Sequence, residues 1–293
     1  MSSRKPLSLY IHIPFCKSKC AYCDFASFPG REAMWEAYFA ALCGEIRAAG
    51  DDIHRVETVF FGGGTPSLVP ETYIAGALAA AREAFPFAPG AEVSLEANPG
   101  TLTMEKLRAY REMGVDRLSI GVQSFDARLL KDIGRIHAPG EAVEAVRMAK
   151  AAGFDRYEIS NYAKAGFACR HNRVYWRRGE YLGFGCAAHS FFGGERFRNA
   201  SDLEGYLRGA RGLERERVDG KAAREETVML ATRTGEGLSL ENWREDFGED
   251  FASGREKVLE ELRRAGLLEI ADGRVFLTEK GMEVHNAVVL ALL

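Results

Sequence analysis

Residues Leu7–Ser27 read LSLYIHIPFCKSKCAYCDFAS. The first half alternates as a strand does, with Leu9, Ile11 and Ile13 on one face and Tyr10 and His12 on the other. Pro14 ends the strand, and Cys16, Cys20 and Cys23 follow. Three thiolates within eight residues, on a loop leaving a strand, can converge on one soft metal centre. A zinc site asks for a fourth ligand nearby, in a second CxxC or a CxxH, but the other cysteines lie far off at Cys43, Cys169 and Cys186. Three ligands suit a [4Fe–4S] cluster with one iron left open to a small molecule. A structural zinc site and unrelated packed thiols are the competing readings.

The spacing CxxxCxxC, with the aromatic Tyr22 just before the last cysteine, resembles the signature of the radical S-adenosylmethionine superfamily. Composition sets the wider frame. A chain of 293 residues has room for one large or two modest domains. A net charge of −3 leaves no electrostatic footprint for nucleic acid. No run approaches the ~18 consecutive apolar residues of a membrane span. The first residues imitate a short signal peptide, but His12 and Pro14 interrupt the apolar run and cysteines stand where a cleavage site would be. Six cysteines outside any disulfide framework fit a reducing compartment, so a cytoplasmic protein is expected.

Periodicity predicts a helix over Arg31–Ala49, then a strand over Val56–Phe61 running into Gly62-Gly63-Gly64-Thr65-Pro66. A second helix should start with Pro70 in its first turn and end before Pro86. Glu92–Ala97 reads as a third strand ending at Asn98-Pro99-Gly100, and Met104–Met113 as a helix stopped by Gly114. A fourth strand is expected over Arg117–Phe125, with helices from Asp126 and over Glu141–Ala152. Strand, loop and helix thus recur four times, the pattern of parallel βα units, whose chemistry sits on the loops after the strands. All four exits carry unusual residues: the cysteines, GGGTP, Glu96-Ala97-Asn98-Pro99 and Gln123-Ser124-Phe125.

S-adenosylmethionine can chelate an open iron through its amine and carboxylate. Glycines let backbone amides approach its methionine end. Glu96 can accept from the amine or the ribose hydroxyls, and Gln123 can donate or accept. Tyr10 offers a hydroxyl, and Arg135 a charge to neutralise a carboxylate, although Glu96 and Arg135 also read as ordinary surface charges.

Together, YIHIPFCKSKCAYCDF, FFGGGTPS, SLEANPGTL and SIGVQSFD resemble the oxygen-independent coproporphyrinogen III oxidases and their relatives, the heme chaperones of the HemW type. Two features favour the chaperone branch: Phe25 stands where the oxidases have a further cysteine, and only a few residues precede the first strand. A third is Arg170-His171-Asn172-Arg173-Val174-Tyr175-Trp176, which resembles the chaperones' HNxxYW signature. The resemblance implies cluster ligation by Cys16, Cys20 and Cys23. It implies cofactor contacts at Tyr10, Tyr22, Gly63, Gly64, Thr65, Glu96, Gln123 and Arg135, with a further one at His189. His171 is the preferred heme ligand over Cys169, Cys186 and His189. The expected role is to hold heme and pass it to a membrane-bound acceptor enzyme. Oxidative decarboxylation of porphyrinogen propionates, or an inactive shortened homologue, are the alternatives.

One departure matters. Six βα units at ~31 residues each need roughly 190 residues, and only four units can be read before Phe154. Ala151-Ala152-Gly153-Phe154-Asp155 then passes directly into a segment that relatives carry after their sixth unit, so about two units are missing from within. The expected fold is therefore an α/β shortened, partial βα barrel over residues 1–198, followed by a small helical, winged-helix-like domain over 199–293. Helices over Glu225–Thr232, Leu240–Phe247 and Arg255–Ala265 are predicted there. They precede a hairpin of Leu267–Ile270 and Val275–Leu277 turned by Asp272-Gly273. Its only basic residue is Arg274, which argues for a protein or substrate lid rather than a DNA reader.

Overall fold

The computed structural model describes residues 4–20, 23–98, 101–120, 155–158, 162–163 and 166–293. Contacts divide the chain into two compact units, Met1–Ala145 with Glu180–Arg217, and Val146–Gly179 with Val218–Leu293.

The first unit is built on β1 (Lys5–Ile13), which leads into the short β2 (Phe15–Cys16). β2 pairs with β3 (Phe28–Pro29), so the chain between them leaves and returns at one place. A 3₁₀ turn over Glu32–Met34 opens helix α1 (Trp35–Ala48), which shortens the helix expected from Arg31. β4 (His54–Gly63), α2 (Glu71–Ala84), β5 (Phe87–Ala97), α3 (Met104–Met113) and β6 (Arg117–Ile120) follow. Pro70 is extended, with ψ 139°, and caps α2 from outside instead of entering its first turn. Residues 121–125 of the fourth predicted strand, both predicted helices between Asp126 and Ala152, and the junction at Phe154 lie outside the described residues.

β4, β5 and β6 add to one edge of β1 in parallel, and β9 (Tyr181–Phe184) takes its other edge, also in parallel. β10 (His189–Phe192), β11 (Glu195–Arg198) and β12 (Leu213–Arg217) extend that side as an antiparallel meander. A central parallel strand is covered on both faces, and β1 is buried from Leu7 to Ile13 except at Tyr10, which is half-buried. The alternation of its sequence therefore does not mark a wet face, and His12 is buried like Ile11 and Ile13 beside it. On one side, Tyr38, Phe39, Leu42 and Ile46 of α1 join Ile74, Ala77, Leu78 and Ala81 of α2 in one apolar cluster with the sheet.

A buried carboxylate ties the returning strands to α1. Glu45 accepts from Gly185 N (3.0 Å), the Tyr206 hydroxyl (2.6 Å) and Asn199 Nδ2 (2.6 Å), with Arg211 at 3.5 Å.

The second unit holds β7 (Asp155–Arg156), β8 (Tyr162–Ala163), α4 (Arg170–Trp176), α6 (Gly220–Ala231), α7 (Leu240–Phe247) and α8 (Glu256–Arg264), α5 (Leu203–Leu207) belonging to the first. A three-stranded sheet ordered β13 (Leu238–Ser239), β15 (Arg274–Leu277), β14 (Leu268–Ala271) completes the wing. Asp272 and Gly273 both have positive φ, 49° and 70°, as a type I′ hairpin turn needs. Trp243 anchors the core, edge-on to Phe251 at 5.0 Å. Helices α9 (Glu279–Glu283) and α10 (His285–Leu292) close the chain. Among the described residues no helix is long and apolar enough to cross a membrane.

Removing Glu45 would strand several donors at a site only 10% exposed. Glu45→Ala is expected to cost about 2–4 kcal/mol, measured as a lower urea midpoint with an unchanged slope.

Candidate functional site

The carboxyl ends of β1, β4 and β5 meet at one place. Gly64 N donates to Ile13 O (2.9 Å) and Thr65 N to Phe15 O (2.8 Å), so the glycine loop lies along the root of the cysteine loop. The contact is close: a Cβ on Gly64 would fall 2.7 Å from Phe15 O and 3.0 Å from Cys16 Sγ. Gly63 has φ +113°, and a Cβ there would lie 2.6 Å from the His12 ring. Only glycine permits this backbone over these side chains. The Thr65 hydroxyl sits 3.5 Å from Cys16 Sγ.

Below the glycines lies a small buried polar cluster. The Tyr10 hydroxyl is 3.0 Å from His12 Nδ1, and His12 Nε2 is 3.0 Å from Ala26 O. A carbonyl only accepts, so Nε2 carries the proton, Nδ1 accepts, and the Tyr10 hydroxyl donates to it. Burial holds the His12 pKa down at about 4, which keeps the ring neutral. His12 thus pins Ala26, the far end of the cysteine loop, to β1, while Phe28 N donates to Pro14 O (2.7 Å) at its base.

Glu96, at the end of β5, accepts from Gly63 N at 3.1 Å. Burial pushes its pKa up to about 7, against the pull of that N–H. A cationic ligand amine arriving here would restore the charged carboxylate. Lys106 of α3 donates to the carbonyls of Ser67 (2.6 Å) and Val69 (3.0 Å) and fixes the chain beyond Thr65. Asn98 N donates to the Ser67 hydroxyl (3.0 Å), joining the exits of β4 and β5.

The structure brings Tyr10, Cys16, Gly63, Gly64, Thr65 and Glu96 together. Cys20 and Cys23 share the loop of Cys16, with Cys23 N bonded to Cys20 O (3.1 Å). Among the described residues no three Cys, His, Asp or Glu side chains gather around one point as ligands of a single ion would. A cubane differs in that each thiolate takes its own iron. Tyr22, Gln123 and Arg135 lie outside the described residues. His189 is exposed on β10, yet near enough to His12 to depress its pKa further. His171 belongs to the second unit, fully buried on α4, its Nε2 2.8 Å from the Tyr175 hydroxyl. Cys186 is buried, donates to Ala200 O (3.2 Å), and has its pKa driven up to about 12, the state of an inert packed thiol. Sequence reasoning missed His12 and Lys106. A histidine among Leu9, Ile11 and Ile13 was the available signal for the first; nothing local marked the second.

Comparison with known proteins bears on this arrangement. A Radical SAM superfamily profile matches residues 10–163 and a HemN C-terminal domain profile residues 218–284. Heme chaperone HemW of Escherichia coli is 34% identical over 263 residues, covering 63% of this chain and 70% of that protein. The chain belongs to the radical SAM superfamily, in its HemW/HemN-like branch. HemW of Haemophilus influenzae is 33% identical over 300 residues, covering 71% and 78%, and HemW of Bacillus subtilis 27% identical over 374, covering 98% and 99%. The fold is that of coproporphyrinogen III oxidase HemN of Escherichia coli, a radical SAM enzyme, with a TM-score of 0.79 and 19% identity over 99% of this chain and 90% of that one.

The longest of these alignments also measures the internal shortfall. It runs over 374 positions, to which 98% of 293 residues contributes about 287, so close to 90 positions of that HemW face a gap. At ~31 residues per βα unit that is between two and three units.

Membership in this family implies a [4Fe–4S] cluster and S-adenosylmethionine. The donor set fits them: three thiols on one pinned loop, a glycine backbone lying against Cys16, and a buried carboxylate alongside. Bound here, the cluster would supply reducing electrons to the cofactor, while Cys16, Cys20 and Cys23 would hold it and Glu96 and the glycine loop would orient the cofactor.

Each of Cys16→Ser, Cys20→Ser and Cys23→Ser is expected to abolish uptake of iron and sulfide on anaerobic reconstitution, read by metal analysis and the visible spectrum, with folding unchanged. Between pH 4.5 and 7 the folded chain keeps a proton on Glu96 that the unfolded chain has released, so this group's contribution to stability falls as pH rises through that window. Glu96→Gln should remove that slope and stabilise the ligand-free protein above pH 7 by on the order of 2–3 kcal/mol, in denaturant titrations across pH.

Proposed function

We propose that this chain is a heme chaperone that carries a [4Fe–4S] cluster on Cys16, Cys20 and Cys23, binds S-adenosylmethionine beside them, and delivers heme to a membrane-bound acceptor. The observation that carries the reading is Phe25: the oxidases place a further cysteine there, and this chain has an exposed phenylalanine. The repeated likeness to proteins called heme chaperone HemW supports it. Cofactor contacts are assigned to Tyr10, Tyr22, Gly63, Gly64, Thr65, Glu96, Gln123, Arg135 and His189. With two to three βα units absent, contacts from the later strands are lost, and S-adenosylmethionine binds more weakly than in full-length relatives.

His171 is assigned as the heme-iron ligand. Burial lowers its pKa to about 3, so the imidazole is neutral and carries the lone pair that iron needs. Its Nε2 is engaged by Tyr175, which must release it first. The second reading, oxidative decarboxylation of porphyrinogen propionates, rests on the fold shared with HemN.

The test is anaerobic reconstitution followed by separate heme titration and porphyrinogen turnover. One equivalent of heme bound without turnover is the expected result, and His171→Ala should shift the Soret band of the bound heme. Sustained conversion of propionates to vinyl groups would replace the chaperone reading with the oxidase.

A further inference from the structure

The second unit contains a cleft of about 290 Å³ that the cluster chemistry does not use. Arg173 and Trp176 of α4 and Arg177 just beyond it line the cleft, together with Tyr157 and the Thr234-Gly235-Glu236 turn. His171 is not among the lining residues; two positions before Arg173, it points elsewhere around the helix.

The charge arrangement in the cleft is lopsided. Arg173 and Arg177 both bond the Glu236 carboxylate, the latter at 2.7 Å, while Arg274 donates to the Glu236 carbonyl at 2.7 Å. Two guanidiniums therefore share one carboxylate, and a third holds the backbone of the same residue. Burial pushes the Arg177 pKa below its ordinary value, and the charges of Arg173 and Arg274 push it further. Glu158 is fully buried with Arg233 at 3.6 Å, and Arg233 in turn lies over the Trp176 ring at 4.6 Å. The Trp176 indole N–H is buried and finds no acceptor among the described residues. Two guanidiniums at the mouth of a cleft, sharing one half-exposed carboxylate, are a fork that a second carboxylate fits.

Glu236 is held in a way that lets it leave. Its backbone is fixed by Arg274, and that of Gly235 by Tyr157 O at 3.0 Å. Only the side chain need turn, and it is 39% exposed, with Arg177 at 59%. Ion pairs this exposed hold little net stability, so a carboxylate arriving from outside exchanges with Glu236 at small cost.

We propose that this cleft is a carboxylate-binding site, in which Arg173 and Arg177 take a ligand carboxylate in the place Glu236 now fills. The ligand class is a flat aromatic body bearing aliphatic carboxylates. The cleft lies at the lower limit of drug-sized pockets, so it grips one carboxylate-bearing edge and leaves the ring system outside. Resting on the heme reading, the edge is that of a tetrapyrrole with its propionates. This anchor is separate from the iron ligand.

The experiment titrates the full chain with hemin, hemin dimethyl ester and glutarate. Hemin should bind about tenfold tighter than its ester. Arg173→Met/Arg177→Met should remove that difference without moving the Soret band of whatever hemin still binds. Glu236→Gln, which removes the internal competitor's charge and leaves both arginines, should tighten hemin severalfold and leave the ester unchanged. Equal binding of hemin and ester by the wild type, or a Glu236→Gln protein indistinguishable from it, overturns the proposal while leaving heme binding intact. If hemin does not bind at all, the heme reading fails on its own; glutarate raising the melting midpoint of the wild type and not of the double variant still upholds the carboxylate site, and glutarate without effect on either removes it.

Discussion

The interaction on which the first unit depends is the two-sided parallel pairing of β1. With β4 on one edge and β9 on the other, and with Leu7, Leu9, Ile11 and Ile13 in the apolar cluster, the strand has no freedom to slip. Its exit is therefore fixed, and the exit is where Cys16 sits. The carbonyls of Ile13 and Phe15, freed as the strand ends, are the acceptors that hold Gly64 and Thr65. One ladder thus determines where the cysteine loop begins and where the glycine loop lies against it. The loop's far end is set by His12, which is buried because β1 is central and neutral because it is buried.

Desolvation gives this site its chemistry. Tyr10, His12 and Glu96 lie close together and largely out of solvent, and each is driven toward its uncharged form: Tyr10 upward, His12 downward, Glu96 upward. The ligand-free site is then a set of neutral hydrogen-bonding groups, stable without counterions. A ligand that brings its own positive charge changes the balance at Glu96 alone, since its pKa of about 7 lies within reach of a neutral solution. A carboxyl raised to about 7 by burial gains its charge most readily where a cation is at hand, with no fixed charge needed in advance.

Much of this was legible in the sequence, and the reasons are local. The cysteines, the glycines after an apolar strand and Glu96 at a strand end are marks that βα units leave at their carboxyl ends, and the structure brings Cys16, the glycines and Glu96 together. The Asp272-Gly273 turn was equally readable, because two successive positive φ values leave few residue choices. What could not be read depends on long-range partners. The burial of His12 follows from Gly63, about 50 residues later in the chain, whose backbone lies over its ring. Lys106 acts through three carbonyls nearly 40 positions away, and Glu45 through donors 140 or more positions on. Neither has a local pattern to betray it.

The internal shortfall looks at first like damage to a barrel, since missing strands leave sheet edges and apolar faces uncovered. The position most at risk is the edge of β1 opposite β4. Here β9 fills it in parallel, held against α1 by the Glu45 contacts to Gly185, Asn199 and Tyr206. β10, β11 and β12 then carry the sheet outward, edged by the ion pairs Arg198–Glu214 and Arg215–Glu195. Charges on an outer strand discourage edge-to-edge pairing. The strand that carries the cysteines is therefore enclosed by segments that follow the gap, and its geometry does not wait on the units that are absent.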